Sequence, residues 1–290
     1  MIRGKELEEK VFEKDHINRV VSELKKDFML YFETFKQKPI NILFEKYVSK
    51  HKSEQDAYAE YLNMNILNEF EYDPNAFKSY TKKKCPIIRN CLWSQDEIMK
   101  DYKRAFNEIS GREILDAVKM ISQFGEKYVS EFNDEEHEDA AYPNDLRLET
   151  LNESEYGTHG VIGYGIQSTL LYGLYPREFA HRSQNSVWSL YFLSNRKDFG
   201  LEDDSEFLMV QVEKGTIEQN FLYPAQLFGF YELQVYLMLK YACEDLDLCF
   251  DNAFRYIYLD SFNDHVADQH RSDINCYRRS SEDVESQPWF

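Results

Sequence analysis

Residues 157–193 read GTHGVIGYGIQSTLLYGLYPREFAHRSQNSVWSLYFL. The stretch holds five of the chain's eleven glycines, at 157, 160, 163, 165 and 173. Apolar and aromatic residues fill most of the rest, and Tyr175-Pro176 interrupts the run. Clustered glycines mark tight turns or close backbone approach. The tract is therefore expected to be structural, with Gly163→Val or Gly165→Val lowering thermal stability. Its pattern GxxGxG, from Gly160 to Gly165, inverts the GxGxxG that a dinucleotide fold places after a buried strand. No phosphate-loop motif and no GxSxG elbow occurs, so neither a nucleotide cofactor nor a serine nucleophile is read here.

Upstream, the pattern is helical. Apolar residues at three-and-four spacing predict a helix over residues 5–37, stopped by Pro39, and two more over 40–48 and 56–70. Gly4 is the only glycine before Gly111. Ser94 with Glu97, and Ser110 with Glu113, form capping boxes ahead of apolar-periodic runs. Gly125 is placed to end the second run.

Residues 126–156 change character. Eleven carboxylates face only Lys127 and Arg147 there, and Tyr142-Pro143-Asn144-Asp145 has turn chemistry. The segment reads as an exposed acidic linker or loop at a domain boundary. Beyond the glycine tract, EFLMVQVE at 206–213 has strand character, and Phe221-Leu222-Tyr223 offers a hairpin partner. Pro224 opens a long apolar helix, 254–262 reads as strand or short helix, and residues 263–290 read as a polar tail. The class expected is α+β, predominantly helical. A helical region (1–125) and the acidic linker (126–156) precede an α+β region (157–262) with a small antiparallel sheet or hairpin and long helices.

Composition limits function. The formal charge is −18, with 21 tyrosines and 21 phenylalanines. Such a chain repels free nucleic acid and attracts basic protein surfaces. Five cysteines without a CxxC read as reduced core thiols in the cytoplasm. The first ten residues lack a signal-peptide pattern, and no apolar window is long enough to span a membrane.

Site candidates are few. Tyr175, Arg177, His181 and Arg182 lie between the two apolar halves of the tract and could hold a partner's carboxylate or phosphate. The arginines could equally pair with Glu178 or with the acidic segment. A second constellation, Asp203, Asp204, Glu206 and Glu213 beside Lys214, has the carboxylates of a magnesium-dependent nuclease. Adjacent strand residues point to opposite faces, so Glu213 and Lys214 depart from that layout. The cluster of Asp264, His265, Asp268 and His270 reads as a solvated tail, because its histidines are five apart.

The length, the acidity and the stretch YGIQSTLLYGLYPREFAHRSQNSVWSLYFL at 164–193 resemble phage anti-defence proteins that inhibit the Gabija system. That resemblance implies an oligomeric inhibitor in the host cytoplasm, assembled around a defence complex and keeping it off DNA. The reading is a non-catalytic interaction protein without cofactor, expected to form a homo-oligomer that occludes a basic, nucleic-acid-handling partner. The alternative is a metal-dependent enzyme acting on nucleic acid or nucleotide.

Overall fold

The computed structural model describes residues 10–96, 99–197, 199, 207–211, 216–219, 223–248 and 250–277. Helix α1 (Lys14–Phe35) buries one stripe, from Ile17 through Val20, Leu24, Phe28 and Phe32 to Phe35. That stripe follows the helical period of the sequence. Helix α2 (Ile40–Tyr61) is continuous where two helices are expected. The intervening residues 49–55 are polar but contain no glycine or proline, so polarity alone does not end the helix. Short helices α3 (Met64–Glu69), α4 (Pro74–Lys84), α5 (Pro86–Trp93) and α6 (Met99–Glu108) follow.

Helix α7 (Gly111–Ser130) opens on the expected capping box, in which Ser110 and Glu113 satisfy each other's backbone N–H groups. Gly125 lies inside this helix, not at its end. A Cβ there would sit 2.9 Å from the Leu171 side chain, so the glycine admits a neighbouring helix. The other box cannot be followed, because Glu97 lies outside the described residues.

The tract at 157–193 supplies two helices, α9 (Tyr164–Leu174) and α10 (Gln184–Leu193). Every residue of α10 from Ser186 onward is buried, as befits a helix apolar on all sides. It runs along α12 (Arg255–Gln269) and also meets α1, while α11 (Ala225–Glu244) packs on α1 and α12. Aromatic rings tie α1 and α2 to α12: Phe262 lies 5.1 Å from Phe28 and 5.3 Å from Phe35, and Tyr258 lies 4.4 Å from Phe44. Helices from both sides of residues 126–156 thus share one core. The expected division into residues 1–125 and 157–262 does not describe the packing.

The α+β class is overturned. Helices build every layer of the core. The strand character at 206–213 yields only a two-stranded ribbon, β1 (Leu208–Gln211) against β2 (Thr216–Gln219), with Leu208 opposite Gln219. Two four-residue strands cannot form a sheet layer that carries helices. The proposed partner strand falls largely on residues 221 and 222, outside the described residues. Residues 254–262 are helical, and the supposed tail begins inside α12, where Asn263, His265, Val266 and Ala267 are buried. Beyond residue 277 the chain lies outside the described residues. No helix among the described residues is long and apolar enough to cross a membrane.

Candidate functional site

The acidic segment is a built part of the fold. Asn133 caps α8 (Asp134–Glu138) by accepting from the N–H groups of Glu135 and Glu136. Three 3₁₀ turns follow, at Pro143–Leu146, Glu149–Asn152 and Ser154–Tyr156. Leu146, Leu148, Leu151 and Tyr156 enter the core from them. The expectation of an exposed linker is therefore corrected. Charge density hid these apolar positions, because the carboxylates turn outward while the leucines between them turn in.

A buried arginine fixes the segment. Arg255, wholly buried at the start of α12, donates to Asp134 Oδ1 at 2.8 Å and to Glu138 Oε1 at 2.9 Å. Both bonds come from Nη2, and Nη1 donates to the Arg177 carbonyl at 2.6 Å. Arg177 itself pairs with Asp134, and Lys240 reaches Glu138 Oε2 at 2.8 Å. Burial pushes both carboxyls up, but the hydrogen bonds from these cations outweigh it and hold them below their ordinary values. Behind them His137 shares a hydrogen bond of 2.8 Å with the Tyr256 hydroxyl. Burial, reinforced by the charge of Arg255, pushes the His137 imidazole down to about 3.

Nine of the eleven carboxylates in the segment remain exposed; Asp134 and Glu138 are the two drawn inward. Between the C-terminal half of α7 and the 3₁₀ turns runs a cleft of about 410 Å³. Phe124, Tyr128, Phe132 and Tyr156 line it, and its rim carries Glu131, Glu136, Asp145 and Glu149 with Lys127 and Arg147. The Tyr128 hydroxyl donates across it to the Leu146 carbonyl at 2.9 Å.

No protein-family model, curated protein or solved structure matches the chain.

The four residues singled out in the tract do not form one site. Arg177 belongs to the ionic cluster just described, its internal partner being the acidic segment. Tyr175 is half-buried against Phe179 and the backbone of α7 at Gly125. Arg182 is buried, donates to the Tyr223 carbonyl at 2.7 Å and lies 5.4 Å from both the Tyr164 and Phe228 rings. Burial lowers its pKa to about 10. None of its contacts leaves it facing a partner.

His181 enters a separate polar junction of four helices. Its Nδ1 lies 2.9 Å from Asp260 Oδ2, and its ring stacks on Tyr172 at 4.5 Å. Tyr47 and Asn185 both donate to Asp264, at 2.5 and 2.7 Å. Tyr47 and His51 on α2, and Asp260 and Asp264 on α12, are each four apart, so each pair shares a helix face. Both carboxylates take hydrogen bonds from the chain itself. The junction joins α2, α9, α10 and α12 through these hydrogen bonds, while the buried His51 Nε2 finds no hydrogen-bond partner among the described residues.

The remaining candidates scatter. His265 bonds Thr34 at 2.9 Å, His270 bonds Tyr31 at 2.9 Å, and Asp268 pairs with Arg271. Among the described residues no group of three or more histidine, cysteine or acidic side chains could hold a metal ion. Asp203, Asp204, Glu206 and Glu213 lie outside the described residues. The cleft itself was missed by sequence reasoning. Phe124, Tyr128 and Phe132 recur at four-residue spacing, a signal that also describes a core stripe.

Proposed function

We propose that this chain is a non-catalytic interaction protein that binds a basic, nucleic-acid-handling protein and occludes it. One observation carries the reading: the exposed carboxylates of residues 126–156 sit on a frame clamped by Arg255, not on a loose linker. A rigid acidic face loses little conformational entropy on binding and meets a basic groove with complementary potential. A net charge of −18 speeds that encounter and disfavours free DNA. The resemblance of residues 164–193 to phage inhibitors of the Gabija system points to a bacterial defence complex as the partner, met in the host cytoplasm. A homo-oligomer would multiply the contact area of such a blocker.

The test is affinity capture from a bacterial lysate, with partners identified by mass spectrometry. The wild-type chain is compared with a variant carrying Glu135→Gln, Asp139→Asn and Glu153→Gln, all at exposed positions. A nucleic-acid-handling protein should elute with the wild type, weaken as salt rises and disappear with the variant. Metal-dependent cleavage of nucleic acid or nucleotide by the purified chain, abolished by Asp204→Ala, would overturn the proposal.

A further inference from the structure

The cleft beside residues 126–156 has a chemistry more specific than negative charge. Phe124 stacks on Tyr128 at 5.7 Å with an interplanar angle of 26°, and Tyr156 meets Phe124 edge-on at 5.9 Å. Phe132, from the same wall, already holds guanidinium groups of the chain itself. Arg177 and Arg255 lie 5.3 and 5.8 Å from its ring centre.

The rim is neutralised only in part from within. Asp145 accepts from the backbone N–H groups of Ala141 and Tyr142, and Glu136 pairs with Arg147 at 3.4 Å. Glu131 and Glu149 are exposed and pair with no cation among the described residues. Against them stands Lys127, so the cleft keeps an excess of negative charge beside a π-rich wall. Its volume, about 410 Å³, falls within the range of about 300–1,000 Å³ usual for small-ligand sites.

From this combination we infer that the cleft receives an arginine side chain from a basic segment of the partner. The guanidinium plane lies against the aromatic wall while its N–H groups meet the rim carboxylates. Arginine is favoured over lysine because its planar, weakly hydrated group stacks on rings and forks to carboxylates, whereas an ammonium is a strongly hydrated point charge. The inference deepens the binding reading above and rests on it.

Calorimetric titration of the full chain with oligo-arginine and oligo-lysine peptides of equal length, at low salt, tests it. The arginine peptide should bind about threefold to tenfold more tightly. Glu131→Gln and Glu149→Gln should each weaken it by about threefold. Phe124→Leu should remove the preference for arginine. Should that variant fail to fold, Glu149→Gln still decides, because Glu149 is exposed and bears no packing load. Equal affinity for both peptides, unmoved by these variants yet lost on neutralising Glu135, Asp139 and Glu153, would overturn the cleft and leave the acidic-face reading standing. Failure of both peptides to bind would overturn both.

Discussion

Arg255 and Asp134 lie 121 positions apart in the chain, and the guanidinium of one donates to the carboxylate of the other at 2.8 Å. That bond holds the acidic segment against the helical core. It also fixes how the segment should fail. Arg255→Met removes one of the two cations that face each of Asp134 and Glu138, leaving Asp134 to Arg177 and Glu138 to Lys240. Losing hydrogen bonds to charged groups while a second cation remains costs about 1.5–3 kcal/mol. Chemical denaturation should show that loss. Limited proteolysis of the wild type should spare residues 134–156, whereas Arg255→Met should open them to cleavage.

Histidines set the acid limit of stability. Burial pushes His51 down to about 4 and His137 to about 3, against an ordinary value of 6.5. A depressed folded pKa gives stability that is complete above 6.5 and is lost as pH falls through the folded value, because the unfolded chain takes up the protons first. Asp134 and Glu138, held below their ordinary values, add a further loss at lower pH. Melting temperature should therefore begin to fall below about pH 6.5 and steepen below about pH 4. His137→Gln, which can keep a hydrogen bond to Tyr256, should soften the first phase. An unchanged profile in that variant would refute the assignment.

Glu232 should act in the opposite direction. It is buried in α11 and accepts from the Asn263 amide at 2.7 Å, while its Oε1 and the Asn263 Oδ1 find no donor. Burial raises its pKa well above the ordinary 4.5. A raised folded value gives stability that is complete below the unfolded pKa and is lost as pH rises through the folded one. Glu232→Gln should match the wild type near pH 4 and exceed it near pH 8 in thermal melts.

The glycines of residues 157–193 divide in a way that melting can check. A Cβ on Gly173 would lie 2.6 Å from the Tyr58 ring, so Gly173→Ala overpacks the α2–α9 contact and should cost about 1–3 kcal/mol. Gly160 takes φ +73°, which a larger side chain resists. Gly163 and Gly165, expected to be needed for packing or turn geometry, meet no such constraint: a Cβ on Gly163 meets nothing within 4 Å, and one on Gly165 meets only the Arg182 carbonyl at 3.7 Å. Gly163 is the N-cap of α9 in extended conformation, so Gly163→Ser should be neutral or stabilising by about 0.5 kcal/mol.

The sequence by itself determined the local elements. The three-and-four spacing of α1 and the capping box of α7 follow from period and composition, because each is satisfied within a few turns of chain. Charge and aromatic content carry the expectation of a basic partner, which the proposed binding experiments test. Only the tertiary structure decided which polar residues turn inward. Asp134 and Glu138 look like their exposed neighbours until Arg255 and Lys240 arrive from the other end of the chain. Likewise Phe124 and Tyr128 read as core until the turns at 143–156 stop short of covering them and leave a cleft. Burial depends on partners distant in sequence, and a periodic pattern records a helix face without recording what comes to cover it.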